Sequence, residues 1–337
     1  MTAHAAGAPR RDKPPDWAAC VEQELGDIEV ALGKLTGSSV SMIARISDHL
    51  LTAGGKRVRP ALVTLAAKVC RLPYDADRLI AVASAAELIH MATLMHDDVI
   101  DQSDSRRGKV TANAFWGNKL TVLSGDYVLS RAFWLLAKDG DLRILRLVAD
   151  LTVAMSEGEA LQLVAAGNVK SWEEYYWRII RDKTARFLDV CCQCGAIAAG
   201  GDDDIRQALS EYGLNLGIAF QITDDILDIV GDPAETGKPV GSDLREGKFT
   251  LPALLALQNA SGSDGRRLAR LTAKPELSEK DVATICEITL SCGAIEMARE
   301  TAAGYVDKAH QSLDQCPPSP ARDALWALGE TIITRLS

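Results

Sequence analysis

The chain has 337 residues, enough for one large domain or two ordinary ones and for a sizeable core. Its 46 acidic residues outnumber 37 Lys and Arg, and the net charge of −9 argues against a nucleic-acid binder, which carries a basic excess. At 47% hydrophobic and 25% charged, the composition is that of an ordinary globular protein, and no run of 18 apolar residues marks a transmembrane helix.

Residues 1–16 mix Ala, Pro, Arg and Lys without an apolar stretch, so a disordered tail is expected rather than a secretory signal. Residues 17–337 read as a single all-α domain. Over 77–101, Ile80, Ala83, Leu88, Ala92 and Met95 recur at three to five residues, which predicts a helix. Similar patterning predicts helices over 142–163, 172–199 and 204–229. β-Branched alternation bounded by turns is almost absent, so no sheet is expected. Gly54-Gly55 to Pro60 breaks the chain before a helix with Pro in its first turn, and Gly200-Gly201 followed by Asp202-Asp203-Asp204 reads as a helix stop and a new N-cap. The longest structureless stretch is expected over 231–252, with a polar loop over 261–265 and a break at Pro317-Pro318-Ser319-Pro320. Eight cysteines without a small-domain framework read as reduced thiols of a cytoplasmic protein. Cys191 and Cys194 form a C-x-x-C pair, but no second pair or nearby His completes a zinc set, so buried thiols are expected.

Asp97, Asp98 and Asp101 form a D-D-x-x-D motif, repeated by Asp224, Asp225 and Asp228. At about 6% Asp, one such motif arises by chance roughly 0.07 times in a chain this long, so two call for a cause. On a helix the first and last carboxylates of each motif share a face, where like charges repel and require a counter-charge. Asp202 to Asp204 lacks the i+4 partner and fits a cap instead. Carboxylates without His or Cys suit Mg²⁺, which is held by one or two carboxylates together with substrate phosphates. Two such clusters facing one another would clamp a diphosphate and make it a better leaving group. Lys56, Arg57 and Arg59 beside Gly54-Gly55 form a candidate anion cradle, Arg106 and Arg107 follow the first cluster, and Lys238 and Lys248 follow the second. Two separate cationic sites suggest two diphosphates, one held through metal and one without.

These residues resemble those of the trans-isoprenyl diphosphate synthases, the polyprenyl synthetase family. The matching stretches are GGKRVRP at 54–60, ELIHMATLMHDDVIDQSDSRRGK at 87–109, KTA at 183–185, FQITDDILD at 220–228 and GKPVGSDLREGKFTLP at 237–252. The resemblance implies an all-helical fold around a central cavity and head-to-tail condensation of isopentenyl diphosphate onto an allylic diphosphate. It implies that Asp97, Asp101, Asp224 and Asp228 hold Mg²⁺, with Asp98 in the same catalytic cluster. Arg106, Lys183, Lys238 and Lys248 would contact the allylic diphosphate, and Lys56, Arg59, His90 and Arg107 isopentenyl diphosphate. Thr184 and Gln221 would point oxygens at the developing carbocation, and the released diphosphate would take the proton. A homodimer is implied as well.

The growing product is expected to run along the helix above Asp97. Ala92 lies about 7–8 Å up, Ile89 about 12 Å and Ala85 and Ala86 about 16–18 Å. Neither Ala92 nor its neighbour Thr93 is aromatic, so the tunnel reads as open. That predicts a long-chain product of the octaprenyl, heptaprenyl or decaprenyl type, supplying quinone side chains from a farnesyl or geranylgeranyl primer. The alternatives are a farnesyl or geranylgeranyl synthase whose tunnel is closed elsewhere, and one subunit of a heteromeric synthase. A terpene cyclase is disfavoured because a second diphosphate site would be redundant.

Overall fold

The computed structural model describes residues 16–106, 108–232 and 239–335. Fourteen longer helices are α1 (Glu22–Leu35), α2 (Ser41–Thr52), α3 (Val58–Val69), α4 (Ala76–Ile100), α5 (Asn118–Asp139), α6 (Leu142–Ala165), α7 (Val169–Ile180), α8 (Arg186–Ala198), α9 (Asp203–Val230), α10 (Leu251–Asn259), α11 (Gly262–Leu271), α12 (Glu279–Ser291), α13 (Ala294–Leu313) and α14 (Pro320–Thr334). Among the described residues the only strands are Ser105–Arg106 and Lys109–Val110, a two-stranded antiparallel hairpin pairing Ser105 with Val110. The expected all-α fold is therefore present.

Local chemistry sets the starts of these helices. Asp75, Asp141 and Asp202 each accept a backbone N–H of the first turn of α4, α6 and α9, and Asn168 does so for α7. Ser278 and Asp281 form a reciprocal capping box on α12, and Ser319 caps α14 with Pro320 behind it. One apolar cluster joins α1, α3, α4, α5 and α8, and a second joins α7 with α10, α12 and α13. Helix α9 runs through both, through Leu209, Tyr212 and Leu216 in the first and Ile222, Ile226 and Ile229 in the second. The second half of α9, which carries the second aspartate cluster, is thereby packed along its length.

Helix α4 is long and apolar enough to cross a membrane, yet its Leu79, Val82, Ala83, Leu88 and Ala92 are buried against neighbouring helices. Three expectations need correction. The helix expected over 172–199 is interrupted by a π-helical turn at Arg181–Ala185, which inserts one extra residue between α7 and α8. The polar stretch 261–265 is the N-cap Ser261 and the first turn of α11, where Asp264 complements the helix dipole. Within 231–252, Ser242–Arg245 forms a helical turn and α10 starts at Leu251; 233–238 lie outside the described residues. The tail expected at 1–16 also lies outside them up to residue 15, and Asp16 opens a helical turn, Asp16–Ala19. All eight cysteines are free thiols. Burial pushes the Cys191 thiol up to about 12, and the Cys194 thiol well above its usual value, which makes both inert at neutral pH.

Candidate active site

The two aspartate motifs end α4 and lie near the end of α9. Lys248, from the segment after α9, reaches back to Asp101 at 3.9 Å and also pairs with Glu246, so the two motifs face a common space. Burial works against the charge on Lys248, but Glu246, Asp101 and Asp243 together hold its pKa above the ordinary lysine value. Asp97 is pushed up to about 6, first by burial and then by Glu159 and Asp101, although Lys183 and Arg106 act in the opposite sense. Asp98 is buried and accepts from Nε and Nη2 of Arg106, both at 2.8 Å. Asp98 thus holds the Arg106 fork in place, while the flanking Asp97 and Asp101 remain available to the cleft. Asp228 accepts the Asp243 backbone N–H at 3.2 Å, tying α9 to the following loop.

Behind this cleft the π-helical turn presents Lys183 and Thr184. Gly158 on α6 permits the close approach: a Cβ there would lie 3.3 Å from the Lys183 nitrogen and the Asp182 Cβ. Lys183 pairs with Glu159 at 2.5 Å and donates to Gln162 at 3.1 Å. The Thr184 hydroxyl donates to Gln221 Oε1 at 2.9 Å. The Gln221 amide donates to Asp225 at 3.0 Å, and Tyr176 donates to the same carboxylate at 2.7 Å. Asp225 is fully buried and its pKa is raised well above the usual carboxylate range, first by burial and then by Asp243. The chain of hydrogen bonds from Tyr176 to Thr184 fixes which face of the Gln221 amide meets the cavity.

A pocket of about 610 Å³ opens beside the first cluster, lined by Gly54, Gly55, Lys56, Arg57, Arg59, His90 and Arg106, with Asp224 and Arg335 at its edge. Arg57 has φ 49°, a left-handed conformation at the N-cap of α3. Its guanidinium pairs with Glu29 and with buried Glu87 at 2.8 Å and donates to the Leu51 carbonyl at 3.1 Å, so it braces the loop while lining the pocket. Arg59 lies over the Phe187 ring, 4.7 Å from its centroid, and His90 meets that ring edge-on at 6.4 Å. Arg107 and Lys238 lie outside the described residues. Of the chain-length candidates, Ile89 lines a deeper cavity with Ala85 and Ala86, while Ala92 and Thr93 line neither that cavity nor the large pocket.

Sequence reasoning missed Glu159, Gln162, Tyr176 and Arg335. The first two form a helical i, i+3 polar pair after Gly158 near the end of α6. Arg335, which pairs with Asp224 at 3.0 Å and lies over Phe220, carries no local signal, because the end of α14 is brought to the site only by the fold.

The donor set fits a divalent ion with oxygen ligands. Burial and then the neighbouring carboxylates raise Asp97, and among the described residues no three acidic, His or Cys groups converge tightly enough to hold an ion alone. Such a site needs the ligand's own phosphate oxygens to complete it. Residues 40–289 match the family described as polyprenyl synthetase. The chain belongs to the polyprenyl synthetase family. Octaprenyl diphosphate synthase of Escherichia coli is 36% identical over 93% of this chain and 96% of its own. Heptaprenyl diphosphate synthase component 2 of Geobacillus stearothermophilus is 39% identical over 90% and 93%. The crystal structure of a Caulobacter crescentus polyprenyl synthase, complexed with calcium and isoprenyl diphosphate, superposes with a TM-score of 0.90 at 36% identity, covering 98% of this chain and all of that one. The protein is accordingly a prenyltransferase, an all-trans polyprenyl diphosphate synthase with the all-α isoprenoid synthase fold.

Proposed function

We propose that the enzyme uses Mg²⁺ to condense isopentenyl diphosphate with farnesyl or geranylgeranyl diphosphate, extending the chain repeatedly into a long polyprenyl diphosphate for a quinone side chain. The observation that carries this reading is a pair of unlike anion sites that adjoin at Arg106 and Asp224. One is a cleft of carboxylates and lysines around Asp97, Asp101, Asp224, Asp228, Lys183 and Lys248. The other is a pocket whose charged lining is mostly cationic, with Lys56, Arg59, His90 and Arg106.

Metal bound at the aspartates supplies charge stabilisation to the departing diphosphate. Lys183, Lys248 and Arg106 hold that diphosphate in line with the cavity, and Lys56 and Arg59 hold the second diphosphate so that its double bond faces the allylic carbon. Thr184 and Gln221 turn oxygen dipoles toward the carbon that loses its C–O bond, within a cavity whose apolar walls exclude water. The new C–C bond forms, and the proton lost from the condensed unit passes to the released diphosphate. Homologous long-chain enzymes support the product class, and the exposed apolar rows on α5 and α6, Val122 and Leu123 with Leu163 and Val164, support a homodimer. We place the enzyme in the cytoplasm, where its free thiols stay reduced.

Purified chain with Mg²⁺, labelled isopentenyl diphosphate and each primer in turn tests the reading. Long products of one dominant length are expected. Products ending at fifteen or twenty carbons from a shorter primer would replace the long-chain reading with a short-chain one, and no turnover would point to a missing second subunit. Ala85→Phe, at the deep cavity that Ile89 also lines, is expected to shorten the product, and unchanged length would remove that cavity from the tunnel.

A further inference from the structure

Beyond the large pocket, α4, α5, α6 and α8 enclose a second apolar cavity, lined among others by Ala85, Ile89, Leu136, Leu151 and Cys194. It holds only about 10 Å³, scarcely one water. Phe187, 2% exposed on α8, lines this cavity, and its ring also touches two groups that line the large pocket, Arg59 at 4.7 Å and His90 at 6.4 Å. The ring is therefore the partition between the two spaces.

We infer that Phe187 is a product-length residue: its ring gates the passage of the growing isoprenoid from the reaction pocket into the deep cavity. The inference rests on the chain-elongating reading above. By helical rise, Ile89 stands about 12 Å above Asp97, Ala85 about 18 Å and Val82 about 22 Å. An isoprene unit contributes four backbone C–C bonds, or about 5 Å of extended length. A chain anchored near Asp97 thus meets the ring with its third or fourth unit and must displace it to go further. The ring is braced from the pocket side by the Arg59 guanidinium and the His90 imidazole, so its displacement disturbs groups that border the second diphosphate. On α4 the small Ala85 and Ala86 sit between Ile89 and Val82, and among the residues lining the cavity the Phe187 ring is the largest side chain in the passage.

The experiment is product-length analysis of Phe187→Trp, Phe187→Leu and the unaltered enzyme, with Mg²⁺, labelled isopentenyl diphosphate and farnesyl diphosphate. The Trp variant is expected to accumulate products of about twenty to twenty-five carbons. The Leu variant is expected to lengthen the product or spread it over several lengths. Thermal melts confirm folding. If the Trp variant fails to fold, the Leu variant decides, because it keeps the core filled. Wild-type length from every folded variant overturns the inference. Should the unaltered enzyme itself stop at twenty carbons, the long-chain reading fails, while lengthening by Phe187→Leu would still establish the ring as the partition.

Discussion

Asp97 carries a pKa of about 6 because burial and the carboxylates of Glu159 and Asp101 outweigh Lys183 and Arg106. An unfolded chain titrates the same group near 3.8. Below that value both states hold the proton and the residue is neutral toward folding. As pH rises from 4 to 6 the unfolded state releases its proton first, so stability falls, and the full cost is present above pH 6. With solvent screening that cost is at most about 2 kcal/mol. Asp97→Asn in metal-free enzyme should therefore raise the Tm by a few degrees at pH 7.5, by less near pH 4.5 and hardly at all near pH 3, as differential scanning calorimetry would read. The same variant should lower kcat by on the order of 10²- to 10³-fold. Lys183→Ala is expected to lose activity on the same scale, with Glu159 then left facing Asp97 without its cation. An activity loss below tenfold in either would remove that residue from the diphosphate site. The aspartates were legible in the sequence because i, i+4 spacing is local and its repetition improbable. Glu159, Tyr176 and Arg335 were not, since each acquires its role from a partner on another helix.

Helix positions were legible wherever apolar periodicity and a polar cap coincided, as at Asp75 with α4 and Asp202 with α9. The start of α11 was misread because Ser261, Gly262, Ser263 and Asp264 have loop composition, and only Leu268 of that helix is buried. The π-helical turn was invisible for a different reason: it depends on how closely α6, α8 and α9 approach. Glycines mark the close approaches of helices in this fold. A Cβ at Gly195 would stand 2.1 Å from the Val63 carbonyl of α3, and one at Gly217 would stand 2.5 Å from the Ala185 Cα. Nothing lies within 4 Å of a Cβ at Gly304 on α13. Gly195→Ala should therefore destabilise by roughly 1–3 kcal/mol or more through forced helix separation. Gly304→Ala should stabilise by up to about 1 kcal/mol by restricting the unfolded chain. Urea denaturation of the two variants measures both, and equal midpoints would contradict the close α3–α8 contact.

At the scale of the molecule, α5 and α6 form an antiparallel hairpin closed at 139–142, with their inner sides against the core through Val128, Ala132, Leu136, Ile144, Val148 and Leu151. Their other sides carry Val122, Leu123, Trp134, Val153, Leu163 and Val164, each exposed, with Val164 at 75%. Gly125 and Asp126 of α5 meet His96, and Glu159 of α6 pairs with Lys183 beside Asp97. Val122 and Leu123 on α5 and Leu163 and Val164 on α6 therefore all lie toward the aspartate end of the bundle. Apolar residues concentrated on adjacent helices exceed the scatter of single exposed side chains on a monomer surface. Packing against a second copy would bury them, and a two-fold axis would set each hairpin against its twin. The deep cavity bounded by Leu136, Val148 and Leu151 lies on the inner side of the same hairpin, so the support that holds the tunnel wall would come from the partner as well. Leu123→Glu combined with Val164→Glu places four like charges in a two-fold interface and should convert a dimer of about twice the 36.2 kDa chain mass into a monomer, as light scattering after size exclusion would show. The monomer should also make a broader spread of product lengths, since the wall of the tunnel loses its backing. A variant that remains dimeric would move the interface off these helices, and a monomer with unaltered product length would show that the tunnel stands without the partner.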